Sequence, residues 1–275
     1  MIVCAMLLSG ASPSIAQDGS FVSRGLPLHY RSVGTGTPII ILSGGPAIEV
    51  DYMAPVADAF PNHRRILLEQ RGTGRSRPSQ LIPEDMTLSV AVQDLEALRE
   101  HLGEQRLFLV GHSWGAMLAM AYAAAHPDRV DRLILIGSGG PTLEFASWFE
   151  DNIRARMRPE DAEAERYWME AAKQGIAADK VAVETTRAIT PAYFFDRAKG
   201  LAFAAAMHDG SMHEDASSML FADLGKSYDL RPGLRKLDRP TLIVHGHQDP
   251  MGDKVAEDLR ALIRSSSLVY LHKCG

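Results

Sequence analysis

Leu109-Val110-Gly111-His112-Ser113-Trp114-Gly115-Ala116 decides the fold of this chain. The first residues close an apolar run, Leu107 to Val110, and the last open an Ala- and Met-rich stretch that continues to Ala125. A Gly-x-Ser-x-Gly between a buried strand and a helix demands a sharp turn with a strained residue at its apex. Gly111 and Gly115 remove the side chains that would collide there. Ser113 is then expected to project its hydroxyl above a sheet, close to the N–H groups that open the following helix, and is the candidate nucleophile.

Working outward, the runs Ile39 to Leu42, Ile66 to Leu68 and Leu133 to Ile136 are short, apolar and without polar alternation. Strands buried on both faces have this composition. Ser89 to Leu102 places Val92, Leu95, Leu98 and Leu102 on one helical face. Strand alternating with helix implies a mostly parallel sheet, with right-handed crossovers and helices on both faces. Phe21 to Val33 reads as an antiparallel hairpin turning at Arg24-Gly25. From Thr142 to about Gly225 the sequence turns helical and charge-rich, and strand signal returns at Thr241 to Val244 and Leu268 to Leu271 around the amphipathic stretch Val255 to Ile263. These patterns predict a core of residues 17–140 and 225–275, interrupted by a helical cap at 141–224.

Composition narrows the function. The chain has 275 residues, 46% hydrophobic and 23% charged, with net charge −5, which suits a globular α/β protein and gives no footprint for a polyanion. Nucleic acid is not an expected partner. Arg64, Arg65, Arg71, Arg75 and Arg77 cluster, but they flank an apolar strand and a glycine turn and read as a solvated loop. Cys4 and Cys274 offer no disulfide framework. Met1 to Leu8 is apolar and leads into small residues ending at Ala16, which reads as a signal peptide over residues 1–16 and predicts a periplasmic or secreted protein, the alternative being cytoplasmic. The run is too short to span a bilayer, which takes about 20 apolar residues.

Two further stretches bear on chemistry. Ile41-Leu42-Ser43-Gly44-Gly45-Pro46-Ala47 follows a sheet strand, and its glycines let a backbone N–H approach a substrate carbonyl. The N–H of Gly45, ahead of Gly44, is expected to pair with that of Trp114 as an oxyanion hole. Asp249, in His245-Gly246-His247-Gln248-Asp249-Pro250, stands just past a late strand where it can orient a catalytic base. The His-x-His-x-Asp in this stretch resembles a zinc motif, but Pro250 occupies the place of its last histidine, so no metal is expected. No nucleotide fingerprint is complete, and no cofactor is expected.

Ser43-Gly44-Gly45-Pro46-Ala47, Glu69-Gln70-Arg71-Gly72-Thr73-Gly74-Arg75-Ser76, Gly111-His112-Ser113-Trp114-Gly115 and His245 to Pro250 occur in the order found in the α/β-hydrolase superfamily, and the chain resembles its prolyl aminopeptidase-like hydrolases, the S33 peptidase group. The resemblance implies Ser113 as nucleophile, Asp249 as triad acid, Gly45 and Trp114 as oxyanion donors, and a small-molecule or short-peptide substrate. A carboxylesterase with the same machinery, or a non-catalytic binding protein on this fold, are the alternatives. The family carries His for Ser43, Gly for Ala47, Asp for Glu69 and often Gly for His112. Its catalytic histidine follows a Gly just beyond the last strand, where this sequence reads Leu271-His272-Lys273-Cys274-Gly275. The expectation is therefore a C-terminally incomplete chain whose base is the next residue, with His272 as the other candidate. In the insert, Trp148, Phe149, Tyr167, Trp168, Tyr193, Phe194, Phe195 and Phe203 are expected to build a small core with some members roofing the site. Glu144, Glu150, Glu170, Glu184, Glu214 and Asp215 are candidates for binding a substrate amine.

Overall fold

A computed structural model describes residues 16–275; the predicted signal segment, but for Ala16, and Cys4 lie outside the described residues. Eight strands form one sheet: β1 (Gln17–Ser23), β2 (Leu26–Val33), β3 (Pro38–Leu42), β4 (Arg64–Leu68), β5 (Leu107–His112), β6 (Val130–Ile136), β7 (Thr241–Gly246) and β8 (Ser266–Leu271). Their order is β1-β2-β4-β3-β5-β6-β7-β8. β1 and β2 pair antiparallel to their neighbours, and every pairing from β4 to β8 is parallel. This is the α/β-hydrolase fold.

Alternation along the strands sorts the core. Ile40, Leu42 and Leu109 face one layer, shared with α2 (Leu88–His101), α3 (Trp114–Ala125) and α10 (Asp253–Leu262). Ile39, Ile41 and Val110 face the other, beneath a 3-10 turn (Val50–Met53) and α1 (Ala54–Asp58). On this second face Val269 and Leu271 of β8 stand exposed. Between β6 and β7 the chain runs through α4 (Ala146–Arg156), α5 (Pro159–Ala172), α6 (Ala178–Ile189), α7 (Arg197–Ala206), α8 (Glu214–Ser227) and α9 (Arg231–Leu234). No helix among the described residues is long and apolar enough to cross a membrane.

The topology itself points to a site. From β3 the chain moves to β4 on one side, and from β5 it moves to β6 on the other. Ligands of open α/β sheets bind outside the carboxyl ends of strands at such a reversal. Here those ends are Leu42 and Gly111, direct partners in the ladder.

The arginine cluster corrects one expectation. Arg71 is buried, and its guanidinium grips Asp94 of α2 through two bonds of 2.8 and 2.7 Å while donating to Ser23 O. Arg65 is buried as well. A run of charges on a loop is solvated only when no buried partner faces it, and Asp94 lies 23 residues away where sequence spacing cannot reveal it.

Helix α3 is tied to α2 by polar contacts. Tyr122 Oη donates to Glu96 Oε2 at 2.6 Å, and Arg99 donates to both Glu96 oxygens. Bonds from Arg99 and, against the cost of burial, from Tyr122 hold the Glu96 carboxyl down at about 2, below its ordinary 4.5. A depressed carboxylate contributes stability above its unfolded value and loses it as pH falls toward the folded one. Glu96→Gln is expected to cost about 1–2 kcal/mol at pH 7 and to flatten the acid limb of stability between about pH 5 and 2. Urea melts across that range test it; an unchanged pH dependence would show that Glu96 does not hold α2 to α3.

Candidate active site

Ser113 sits between β5 and α3 with φ 53° and ψ −118°, a backbone conformation costly for any residue with a side chain. Its N–H donates to Ile136 O at 3.0 Å, so the ladder to β6 runs one residue past the strand before the chain turns. The turn closes because of its glycines. A Cβ on Gly111 would lie 2.3 Å from Gly115 O, and one on Gly115 would lie 2.4 Å from Leu42 O and 2.6 Å from Ser43 O. Helix α3 thus starts directly against the end of β3.

That contact brings the two expected donors to one place. Trp114 is the first residue of α3, and an N–H in that position has no acceptor within its helix. Across from it, the Gly44 N–H is already given to Tyr52 Oη at 2.6 Å, which leaves Gly45 as the loop's donor. Gly45 adopts φ 113°, open to glycine, and the following Gly45-Pro46 bond is cis.

Gln70 fixes both sides at once. Its Nε2 donates to Ser43 O and Ser43 Oγ at 2.9 and 3.0 Å, and its Oε1 accepts from Trp114 Nε1 at 3.0 Å. Ser43 Oγ donates in turn to Ile48 O. The loop is held from the helical insert as well: His213 N donates to Ala47 O, and Glu49 N to Ser211 O. Sequence reading noted Gln70 within a motif and gave it no task. Tyr52 it did not single out, because a lone tyrosine in a 3-10 turn carries no periodic signal.

Asp249 follows β7 in a turn where its Oδ1 accepts from Met251 N at 2.8 Å. A Cβ on Gly137, after β6, would lie 2.7 Å from Asp249 Oδ2 and 3.7 Å from His112 Nε2. The carboxylate and the His112 ring therefore both border Gly137. Burial lowers the His112 pKa, opposed by the Asp249 charge. Tyr193 is pushed up to about 12 by burial, with Asp249 adding to the rise.

The neighbouring histidines are engaged elsewhere. His247 Nδ1 lies 3.1 Å from Asp253 Oδ2 while its ring stacks on Tyr270 at 4.3 Å, and exposed His272 leans on His247 at 4.9 Å. His245, by contrast, is buried with its Nε2 3.6 Å from Asp253 Oδ1, beyond hydrogen-bond reach, and neither atom has a hydrogen-bond partner among the described residues. Among the described residues no three His, Cys, Asp or Glu side chains converge as a metal ion needs. Past β8 the chain turns at Lys273, φ 53°, and Cys274 and Gln248 exchange hydrogen bonds of 3.0 and 2.9 Å. A Cβ on Gly275 would lie 2.6 Å from Gln248 O, so the backbone at Gly275 is laid beside the residue preceding Asp249.

Of the aromatic residues in the insert, Trp148 Nε1 donates to Met251 O and Phe203, though partly exposed, meets Tyr52 edge-on at 6.0 Å, whereas Tyr167 and Phe195 are more exposed still. Most of the acidic candidates are paired: Glu150 with Arg154, Glu170 with Lys173 and Glu184 with Arg187 locally, Glu144 with Arg231 and Asp215 with Arg77 across the chain, while Glu214 accepts from Ser218.

Comparisons with known proteins agree with this fold. The profile of a family described as alpha/beta hydrolase fold matches residues 37–275. A cis-3-alkyl-4-alkyloxetan-2-one decarboxylase of Shewanella oneidensis is 36% identical over 121 residues, 43% of this chain and 38% of that protein. A proline iminopeptidase of Arabidopsis thaliana is 36% identical over 128 residues, 46% of this chain and 33% of that protein. The chain thus spans well under two thirds of the length of these curated relatives. An alpha/beta fold family hydrolase structure from Bacillus anthracis superposes with TM-score 0.75 at 20% identity, over 94% of this chain and 92% of the other.

The approach of Gly115 to the Leu42 and Ser43 carbonyls leaves no room for a methyl group, and both sides are backbone. Gly115→Ala is expected to cost about 2–3 kcal/mol as strand end and helix are forced apart. Urea unfolding measures it, and a midpoint equal to that of the parent would refute the contact.

Proposed function

The chain belongs to the alpha/beta hydrolase fold family, and from that premise we propose that it is a metal-independent serine hydrolase acting by acyl transfer to Ser113. The observation that carries the reading is the strained Ser113, set between the Trp114 N–H and the Gly45 loop at the reversal of the sheet. A tetrahedral intermediate on Oγ would place its oxygen toward donors that need not reorganise, each worth about 3 kcal/mol in such sites. Asp249 is the acid that orients the base. The base in such a triad is a histidine held by that acid. His272, which follows Asp249 in the sequence, is turned to His247, and the Cys274 and Gly275 backbone lies along Gln248, the residue before Asp249.

The substrate is an amino-acid amide or short peptide with an N-terminal proline, a reading supported by the likeness to proline iminopeptidases. A carboxylesterase using the same machinery is the second reading. It is favoured by the pairing of five of the six acidic candidates in the insert with an arginine or lysine, Glu214 accepting only from Ser218.

Fluorophosphonate labelling of the natural full-length protein is expected to modify Ser113 and to vanish in Ser113→Ala; no labelling would favour a binding protein. Asp249→Asn is expected to lower kcat about 10⁴-fold by analogy with other triads. Ester turnover equal to or above that of proline amides would remove the peptidase assignment. Loss of both labelling and turnover in His272→Ala would assign the base to His272.

A further inference from the structure

Tyr52 lies in the 3-10 turn Val50–Met53, outside every motif, yet its hydroxyl stands between the two halves of the site. Oη accepts from Gly44 N–H at 2.6 Å and lies 2.8 Å from His112 Nδ1. A phenol has one proton. With Gly44 donating to its oxygen, the hydroxyl is placed to donate its proton to Nδ1, an arrangement in which the imidazole carries its own proton on Nε2. Burial favours this arrangement from both ends, raising the Tyr52 pKa and lowering that of His112. The three groups form a chain of hydrogen bonds from the loop after β3 to the residue before Ser113.

The packing around it is equally tight. A Cβ on Gly44 would lie 3.0 Å from Ser113 Cβ, 3.0 Å from Tyr52 Oη and 3.1 Å from His112 Nδ1. The Tyr52 ring also meets Phe203 of α7 edge-on. We infer that Tyr52 and His112 are positioning residues for the oxyanion hole: together they hold the Gly44 peptide against the serine turn, spend its N–H, and so set Gly45 N–H as the donor facing the developing oxyanion. The inference rests on the reading of Ser113 as nucleophile. A group that fixes a transition-state donor changes kcat and leaves ground-state binding almost untouched.

Tyr52→Phe keeps the ring and its contact with Phe203 while removing both hydrogen bonds. In the natural full-length protein, the Ser113 phosphonylation rate and kcat on the better of the proline amide and ester substrates are expected to fall about 10- to 100-fold. KM should stay within about 3-fold, and a boronic acid mimic of the tetrahedral state should weaken in step with kcat/KM. His112→Leu should show a similar loss, and His112→Asn, whose Oδ1 can accept in place of Nδ1, should recover most of it. Tyr52→Phe labelling at the parent rate, or changing KM alone, would overturn the inference while leaving the serine hydrolase reading intact. Absence of labelling at Ser113 in the parent would overturn both. If Tyr52→Phe fails to fold, the His112 pair decides: Asn and Leu variants of equal rate would refute the bridge.

Discussion

Backbone contact between Gly115 and the carbonyls of Leu42 and Ser43 is the constraint on which the site depends. For α3 to begin there, β5 must leave the sheet within one residue, and that residue must take a positive φ. The strain is confined to Ser113 and offset by the buried Ala- and Met-rich face of α3, which lies in the main core. The same contact puts an unsatisfied helix N-terminus beside a glycine loop at the sheet's topological reversal. Ser113, the Trp114 and Gly45 N–H groups and the crevice at the sheet's reversal are therefore one geometric event and not three separate placements.

Around that event, buried polar groups hold the loop after β3 from three directions. Gln70 fixes Ser43, Tyr52 fixes Gly44, and the Ser211 to His213 backbone fixes Ala47 and Glu49. Arg71 explains why Gln70 can be so exact: its bidentate bond to Asp94 anchors the following turn in α2, where both partners are out of water. A buried pair of this kind is a weak source of stability against an apolar replacement and is costly to break by halves, so it specifies position.

The strands and the serine turn were legible because their signal is local. Ile39 to Leu42 and Leu107 to Val110 lack polar alternation, and they are buried on both faces as that pattern requires. The hairpin at Arg24-Gly25 was legible from its turn chemistry, and both residues take positive φ. What escaped was long-range. The order of β3 and β4, the five-residue α1 and the partners of Tyr52 depend on residues far apart in sequence or on elements too short to show a period. Arg71 was misread for the same reason, since its type and neighbours suggest solvent and only Asp94 makes it internal.

Attachment of the insert between β6 and β7 has a mechanical consequence. Its contacts with the loop after β3 are mainly backbone bonds, from His213 N to Ala47 O and from Glu49 N to Ser211 O, joined by the edge contact of Phe203 with Tyr52. Backbone bonds of this kind survive changes of side chain, so residues of the insert can vary without releasing the loop. A shift of α7 or of the Ser211 to His213 segment, by contrast, would be felt at Ala47 and Tyr52 and through them at Gly44 and Gly45. The insert and the loop after β3 are therefore mechanically one unit at Ala47, Glu49 and Tyr52.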